Sequence, residues 1–305
     1  DRIKKSMAIL KEWDFVEDTD SKGALVFHSI LRRLVIEVFG DEFSEPEPMY
    51  NGSLFHVSIN GSNNNDGSID NPFSSIQFAY DRADEQDTIL VHPGVYYDDI
   101  WFYGKNVVLG SLFLTTGDTS FLSSTIIDGD STDCTIAIYG NIDSTCRITG
   151  FTIQNGIGCV YGQGAGIYVE SASPRLDNLI IKNNISGTNG GGICLNGNSN
   201  SLIDKVLIKN NSADVGGGLY SFNSNPVITN SIIQNNHANN GAGVFLELCS
   251  PNFENVSITD NNAISSGGGI YCGLTSCPVL NHVTISNNSA SSGGGILSIQ
   301  NSQPM

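Results

Sequence analysis

The sequence is short of positive charge. Against 31 Asp and Glu stand 14 Lys and Arg, a formal net charge of −17 over 305 residues. It carries no electrostatic footprint for nucleic acid, because no basic stripe can neutralise phosphates. Polyanionic sugars and anionic membranes are repelled too, unless a metal ion intervenes. No apolar run reaches the roughly 18 residues that a membrane-spanning helix requires. Cys134, Cys146, Cys159, Cys194, Cys249, Cys272 and Cys277 form no Cys-x-x-Cys pair, and their scatter fits no zinc-site spacing. Their odd number argues against a fully disulfide-paired scaffold. Most are expected as buried packing thiols, with Cys272 and Cys277 able to bridge in an oxidising compartment. The chain opens "DRIKKSMAIL", with neither initiator Met nor signal peptide, and stops just as a new repeat begins. Both ends read as truncated.

Glycine is plentiful instead, at 34 residues, and Asn and Ser crowd the second half. That composition suits turns and short strands and disfavours helices. Residues 1–43 are the exception. Met7, Leu10 and Trp13, then Ala24, Phe27, Leu31, Leu34 and Val38, fall at helical spacings, with Asp20 or Ser21 as an N-cap. The acidic stretch 44–53, with prolines at 46 and 48, reads as a linker. Residues 54–145 predict a cap and first coils: a strand, a polar loop, one short helix around 75–83, a strand at 88–92, then short β-branched runs closed by Gly.

Residues 146–305 repeat. Taking Pro174, Ser201, Pro226, Pro251 and Pro278 as the first position, Leu176, Ile203, Ile228, Phe253 and Leu280 follow two residues on. Further on, every unit has an isoleucine (181, 208, 233, 258, 285) and then an asparagine (184, 211, 236, 261, 288). Glycine-rich blocks at 164–166, 190–192, 216–218, 241–243, 267–269 and 293–295 close the units, each followed by an apolar residue. The period is 25 to 27 residues.

A unit this short, with three strands and three turns, has no face large enough to fold alone. Stacking solves that: each coil pairs with the coils above and below, about 4.8 Å apart. The isoleucines become an interior column and the asparagines a ladder whose amides satisfy turn backbone that water cannot reach. The expected fold is all-β, a right-handed parallel β-helix with a short helical N-terminal segment. Leucine-rich repeats need a Leu-x-x-Leu-x-Leu strand, which is missing, and helical repeats do not tolerate this much Gly and Asn.

"GSLFHVSINGSNNNDGSIDNPFSSIQFAYDRADEQDTILVHPGVYYDDI", followed by "STIIDGD" and "GFTIQNG", resembles the N-terminal part of pectate-lyase-like right-handed β-helix proteins. The glycine-block units resemble the β-helix repeats of large secreted and cell-surface bacterial proteins, polymorphic outer-membrane-type repeats among them. The resemblance implies an N-terminal cap whose short helix closes the coil stack. It implies no single activity, since the fold carries lyases, hydrolases, epimerases, adhesins and stalks. Residues 1–43, through "ILKEWDFVEDTDSKGALVFHSILRRL", resemble a helical segment of penicillin-acylase-type hydrolases. That implies an acylase-domain tail joined to a β-helix; a helical cap or linker helix is the other reading. The mature N-terminal Ser of that family is missing, so no catalytic residue carries over.

A polysaccharide lyase on this scaffold needs a Lys or Arg base beside carboxylates that hold Ca²⁺. The strands after the glycine blocks, "IYVE", "ICLN", "LYSF", "VFLE", "IYCG" and "ILSI", contain Glu170 and Glu247 and no Lys or Arg. Lys182 and Lys209 read as solvated surface residues. A hydrolase needs clustered Asp; Asp177 and Asp204 stack in adjacent units, and a solvated edge is the plainer reading. His237 and His282 lie in turns, His282 in the register of Asn178, Asn230 and Asn255, where it extends that column. No catalytic residue is assigned.

"GVYYDDIWFYGKN" offers carbohydrate-binding candidates: Tyr96, Tyr97, Asp98, Asp99, Trp101 and Tyr103. Rings stack on sugars and carboxylates bond hydroxyls; alternation of half of them into the core is the rival account. Asp66 and Asp70 of "NGSNNNDGSID" offer a calcium loop with non-EF-hand spacing, or a Gly-rich Asp-Gly turn.

The functional expectation is a secreted or cell-surface module, a monomer, serving as a glycan-binding, adhesive or spacer scaffold without catalysis. Its partner is a polysaccharide or surface glycan, and calcium is the one cofactor to consider. The alternatives are a polysaccharide lyase or hydrolase with its site near Asp98, Asp99 and Asp128, and an acylase-type amidohydrolase fused to a β-helix.

Overall fold

The 26-residue rhythm becomes three walls separated by sharp corners. The computed structural model describes residues 53–159 and 162–305. The helical reading of 1–43, its acylase resemblance, and the linker up to residue 52 lie outside the described residues. Every described strand pairing is parallel, coil upon coil. The first wall is a 15-stranded sheet whose two columns are joined by the long strands Arg175–Lys182 and Leu202–Lys209. The second has eight strands, from Ile100–Tyr103 to Ile296–Ser298, and the third has three, Ser212–Val215, His237–Asn240 and Asn262–Ser266.

The paired asparagines divide the work at one corner. The first of each pair, Asn183, Asn210, Asn235 and Asn287 (Asp260 in one coil), takes a left-handed φ of 54–57° that a short polar side chain tolerates. The second turns inward. Asn184, Asn211, Asn236 and Asn261 are buried and bond amide to carbonyl from coil to coil at 2.9–3.1 Å, ending on Asn288. Each amide also donates to the backbone carbonyl of an interior isoleucine, so the buried donors are spent. The isoleucine column forms in the expected register, Ile181, Ile208, Ile233, Ile258 and Ile285. Burying each side chain stabilises the stack by about 1.5–3 kcal/mol.

The glycine blocks serve two needs. Gly216 has φ 70°, and a Cβ on Gly218 would lie 2.6 Å from the carbonyl oxygen of Gly243 in the next coil. A third corner holds Asn178, Lys205, Asn230, Asn255 and His282, all with φ of 49–55°. His282 does share the register of those asparagines, but the register marks a left-handed bend rather than a buried amide ladder.

The N-terminal helix Ile76–Arg82, N-capped by Ser75, lies along the end strand of the second sheet. Gln77 accepts from the Trp101 N–H and the Tyr80 hydroxyl from the Tyr103 N–H, each at 2.7 Å. The otherwise unpaired strand edge is thereby covered.

Candidate functional site

In the second sheet the alternation of strand residues sorts side chains into an inner and an outer set. Ile100, Ile136, Ile167, Ile193, Leu219, Val244 and Ile270 stack inward. One residue on, Trp101, Ala137, Tyr168, Cys194, Tyr220, Phe245 and Tyr271 form an outer row. A second outer row runs Tyr103, Tyr139, Glu170, Asn196, Phe222 and Glu247. Eight of these thirteen side chains are aromatic, and none is Lys, Arg or His.

These rings form an apolar cluster outside the main core, with Cys134 and Cys194 among its buried members. The first glycine of each block makes room: a Cβ on Gly164, Gly216, Gly241 or Gly267 would strike the aromatic four residues on. Tyr220 stacks on Phe245 and Phe245 on Tyr271, with centroids 5.6 and 4.4 Å apart. At the N-terminal end Trp101, Tyr103 and Tyr139 lie parallel within 9–14°, at centroid separations of 5.3–6.2 Å. Tyr103 is 57% exposed. Polar groups flank the rings: the Tyr168 hydroxyl donates to Glu170 at 3.1 Å, and Asn196 donates to Gln163 at 2.9 Å. Burial pushes the Glu247 carboxyl above its ordinary range.

The six residues singled out for carbohydrate binding do not form one site. Trp101 and Tyr103 sit together on the outer face. Tyr96 is buried, its hydroxyl donating to the carbonyl of His92 at 2.7 Å, so it belongs to the core. Tyr97 projects from the corner between two strands. Asp98 caps the N-terminal helix, accepting from the Ile76 N–H at 2.7 Å and the Ser75 hydroxyl at 3.2 Å. Asp99 accepts from Thr132 at 3.1 Å through one oxygen, while its other oxygen is buried without a partner. Burial pushes the Asp99 carboxyl up, and Asp133, Asp98 and Asp130 add to the rise against the lowering bond from Thr132. Asp66 accepts from the Ser68 N–H at 2.9 Å, closing a local turn. Among the described residues, neither Asp66 nor Asp70 joins a group of three side chains spaced to hold an ion.

The acidic residues considered for catalysis are engaged elsewhere. Asp128 accepts from Gln154 at 2.7 Å and Asn155 at 2.8 Å. Asp177 and Asp204 do pair in register, but Asp177 is fully buried rather than a solvated edge. Arg147 grips both its oxygens at 2.7 and 2.9 Å, Arg175 approaches at 3.1 Å, and Thr149 and Asn178 donate as well. Burial pushes that carboxyl up, yet the bonds and charge of Arg147 prevail and hold it below the ordinary range. Glu170 and Glu247 stand three strands apart, roughly 14 Å at about 4.8 Å per strand. A glycosidase carboxylate pair needs about 5–9.5 Å.

Coils of parallel strands, a buried amide ladder and a capping helix define a parallel β-helix. The chain belongs to the right-handed β-helix region family, whose match covers residues 110–290. The Chlamydia polymorphic membrane protein repeat matches residues 282–299. No curated protein matches the chain in sequence. Among solved structures, Escherichia coli YbhC aligns with 11% identity and a TM-score of 0.50 over 83% of this chain and 79% of that one. Pectin methylesterase PemA from Erwinia chrysanthemi aligns with 11% identity and a TM-score of 0.47, over 85% and 94%. Pectate lyase Pel9A aligns with 13% identity and 0.47, over 81% and 77%. At these identities the likeness is one of fold.

Proposed function

We propose that this chain is a non-catalytic, secreted or surface-displayed module that binds a neutral polysaccharide along the outer face of its second sheet. The observation that carries the reading is the parallel set Trp101, Tyr103 and Tyr139, at the end of an aromatic row and with Tyr103 open to solvent. Aromatic rings of this kind present an apolar platform to the C–H faces of sugars, and the flanking amides and carboxylates suit hydroxyl groups. The net charge of −17 favours a neutral glycan over a polyuronate. Support for a binding rather than a catalytic role comes from the outer rows, which offer no side chain of the Lys or Arg type that a lyase base requires.

Two measurements on one glycan panel test this reading. Calorimetry with neutral polysaccharides is expected to give saturable binding. Ultraviolet absorbance for unsaturated sugar ends, followed on uronate polysaccharides with and without Ca²⁺, is expected to stay flat, and no new reducing ends should form. A calcium-dependent rise would identify a lyase instead, and released reducing ends a hydrolase.

A further inference from the structure

Beside the aromatic platform, two cysteines from different coils meet. Cys134 lies in the turn before the strand Ile136–Tyr139, in the register that Ala165, Gly191 and Gly217 fill in the following coils, and it is fully buried. Cys159 comes from the next corner, which is longer than its successors. Later coils run from the left-handed Asn183 to Gly190, Asn210 to Gly216 and Asn235 to Gly241, but this one runs from Asn155 to Gly164. The extra length carries Cys159 back over Cys134. Backbone bonds fix the approach: the Ile157 N–H donates to the Asp133 carbonyl at 2.9 Å, and the Cys159 N–H to that of Gln163 at 2.9 Å.

The two sulfurs and one carboxylate oxygen of Asp133 all lie within 4.8 Å of one another. A tetrahedral zinc ion with Zn–S bonds of about 2.3 Å spaces its ligand atoms by roughly 3.8 Å, so a small contraction of this triangle suffices. Asp133 is held for the task, its Oδ1 accepting from the Cys134 N–H at 2.8 Å. Two further polar atoms nearby are buried without partners, the Tyr139 hydroxyl and Asp99 Oδ1. Tyr139 belongs to the same apolar cluster as both cysteines, and Asp99 is bonded to Thr132, the neighbour of Asp133.

We propose that Asp133, Cys134 and Cys159 form a binding site for a thiophilic divalent cation, zinc by preference. Paired thiolates select such an ion over Ca²⁺ or Mg²⁺. The bound ion supplies the positive charge that this acidic corner lacks and pins the long loop against the platform. The site does not depend on glycan binding. Such a site leaves no short-spacing pattern in the sequence, because a solenoid brings ligands together from successive coils.

The test uses the full chain, reduced, stripped with a chelator and titrated with Co²⁺. The expected result is one equivalent bound, with thiolate-to-cobalt charge-transfer absorption and the visible bands of tetrahedral Co²⁺, both bleached by added Zn²⁺. Cys159→Ser, at a half-buried loop position, should abolish the charge-transfer absorption, and Asp133→Asn should weaken Co²⁺ binding at least tenfold. Zn²⁺ should raise the melting temperature of the wild type and leave that of Cys159→Ser unchanged. Absence of the charge-transfer band in the reduced wild type would overturn the proposal, as would a band of undiminished strength in Cys159→Ser. So would recovery of Cys134 and Cys159 as a disulfide that Zn²⁺ with reductant does not convert to the bound form.

Discussion

Asn211 Oδ1 accepts two hydrogen bonds from one neighbour, the Asn184 backbone N–H and the Asn184 side-chain amide, each at 3.0 Å. The Asn211 amide then donates to the Ile181 carbonyl at 3.0 Å and to Asn236 at 3.1 Å. One side chain therefore satisfies polar groups on the coils to either side of its own, in a space closed to water.

Asn211→Ala should accordingly strand several buried groups at once, at about 1–3 kcal/mol for each. A loss of about 2–5 kcal/mol is expected from urea unfolding of the variant. Asn239, exposed and bonded only to the surface Asp214, is the comparison: Asn239→Ala should change stability by no more than about 0.5 kcal/mol.

Ile232 and Ile233 are sequence neighbours on opposite faces, 43% and 0% exposed. Ile233→Ala should cost about 2–5 kcal/mol through lost burial and the cavity left behind, and Ile232→Ala far less. Ile233→Asp, which buries an unpaired charge in the column, should unfold the neighbouring coils. A thermal melt of the Asp variant close to that of the wild type would contradict the register.

His56 Nδ1 and His92 Nε2 approach to 3.0 Å in the first coil. Burial lowers the proton affinity of both, and His92 lowers that of His56 further. Their folded pKa values thus lie below the unfolded value of about 6.5, so the unfolded chain binds more protons in that interval. Stability is then full above about pH 6.5 and falls as the pH drops from there through the folded pKa values. Melting followed from pH 7.5 to pH 5 should show this decline, and His92→Asn should make it shallower.

The repeat was legible wherever one position recurs coil after coil. The isoleucine column, the asparagine ladder and the glycine corners all stand where the spacing puts them, because stacking turns sequence period directly into contact. Outside the repeat the phase of strand alternation has no such anchor. Tyr96 and Trp101 therefore looked equivalent, although one faces the core and the other the outer face. The burial of Asp177 is hidden for a related reason: only the pairing of Arg147 with Arg175 reveals that two guanidiniums flank it. The outer aromatic row had a visible signal, an aromatic two residues after a glycine block in "IYVE", "LYSF", "VFLE" and "IYCG". Cys134 and Cys159 gave none, since their meeting depends on one loop's length.

If the parallel rings at the end of the second sheet hold a neutral glycan, removing one should weaken binding directly. Isothermal calorimetry of the wild type, Tyr103→Ala and Trp101→Ala against the neutral polysaccharide that binds best measures this. An affinity loss of at least tenfold is expected in each variant, about 1.4 kcal/mol, with a melting temperature near that of the wild type for the exposed Tyr103→Ala. Unchanged affinity in both variants would rule out binding on these rings.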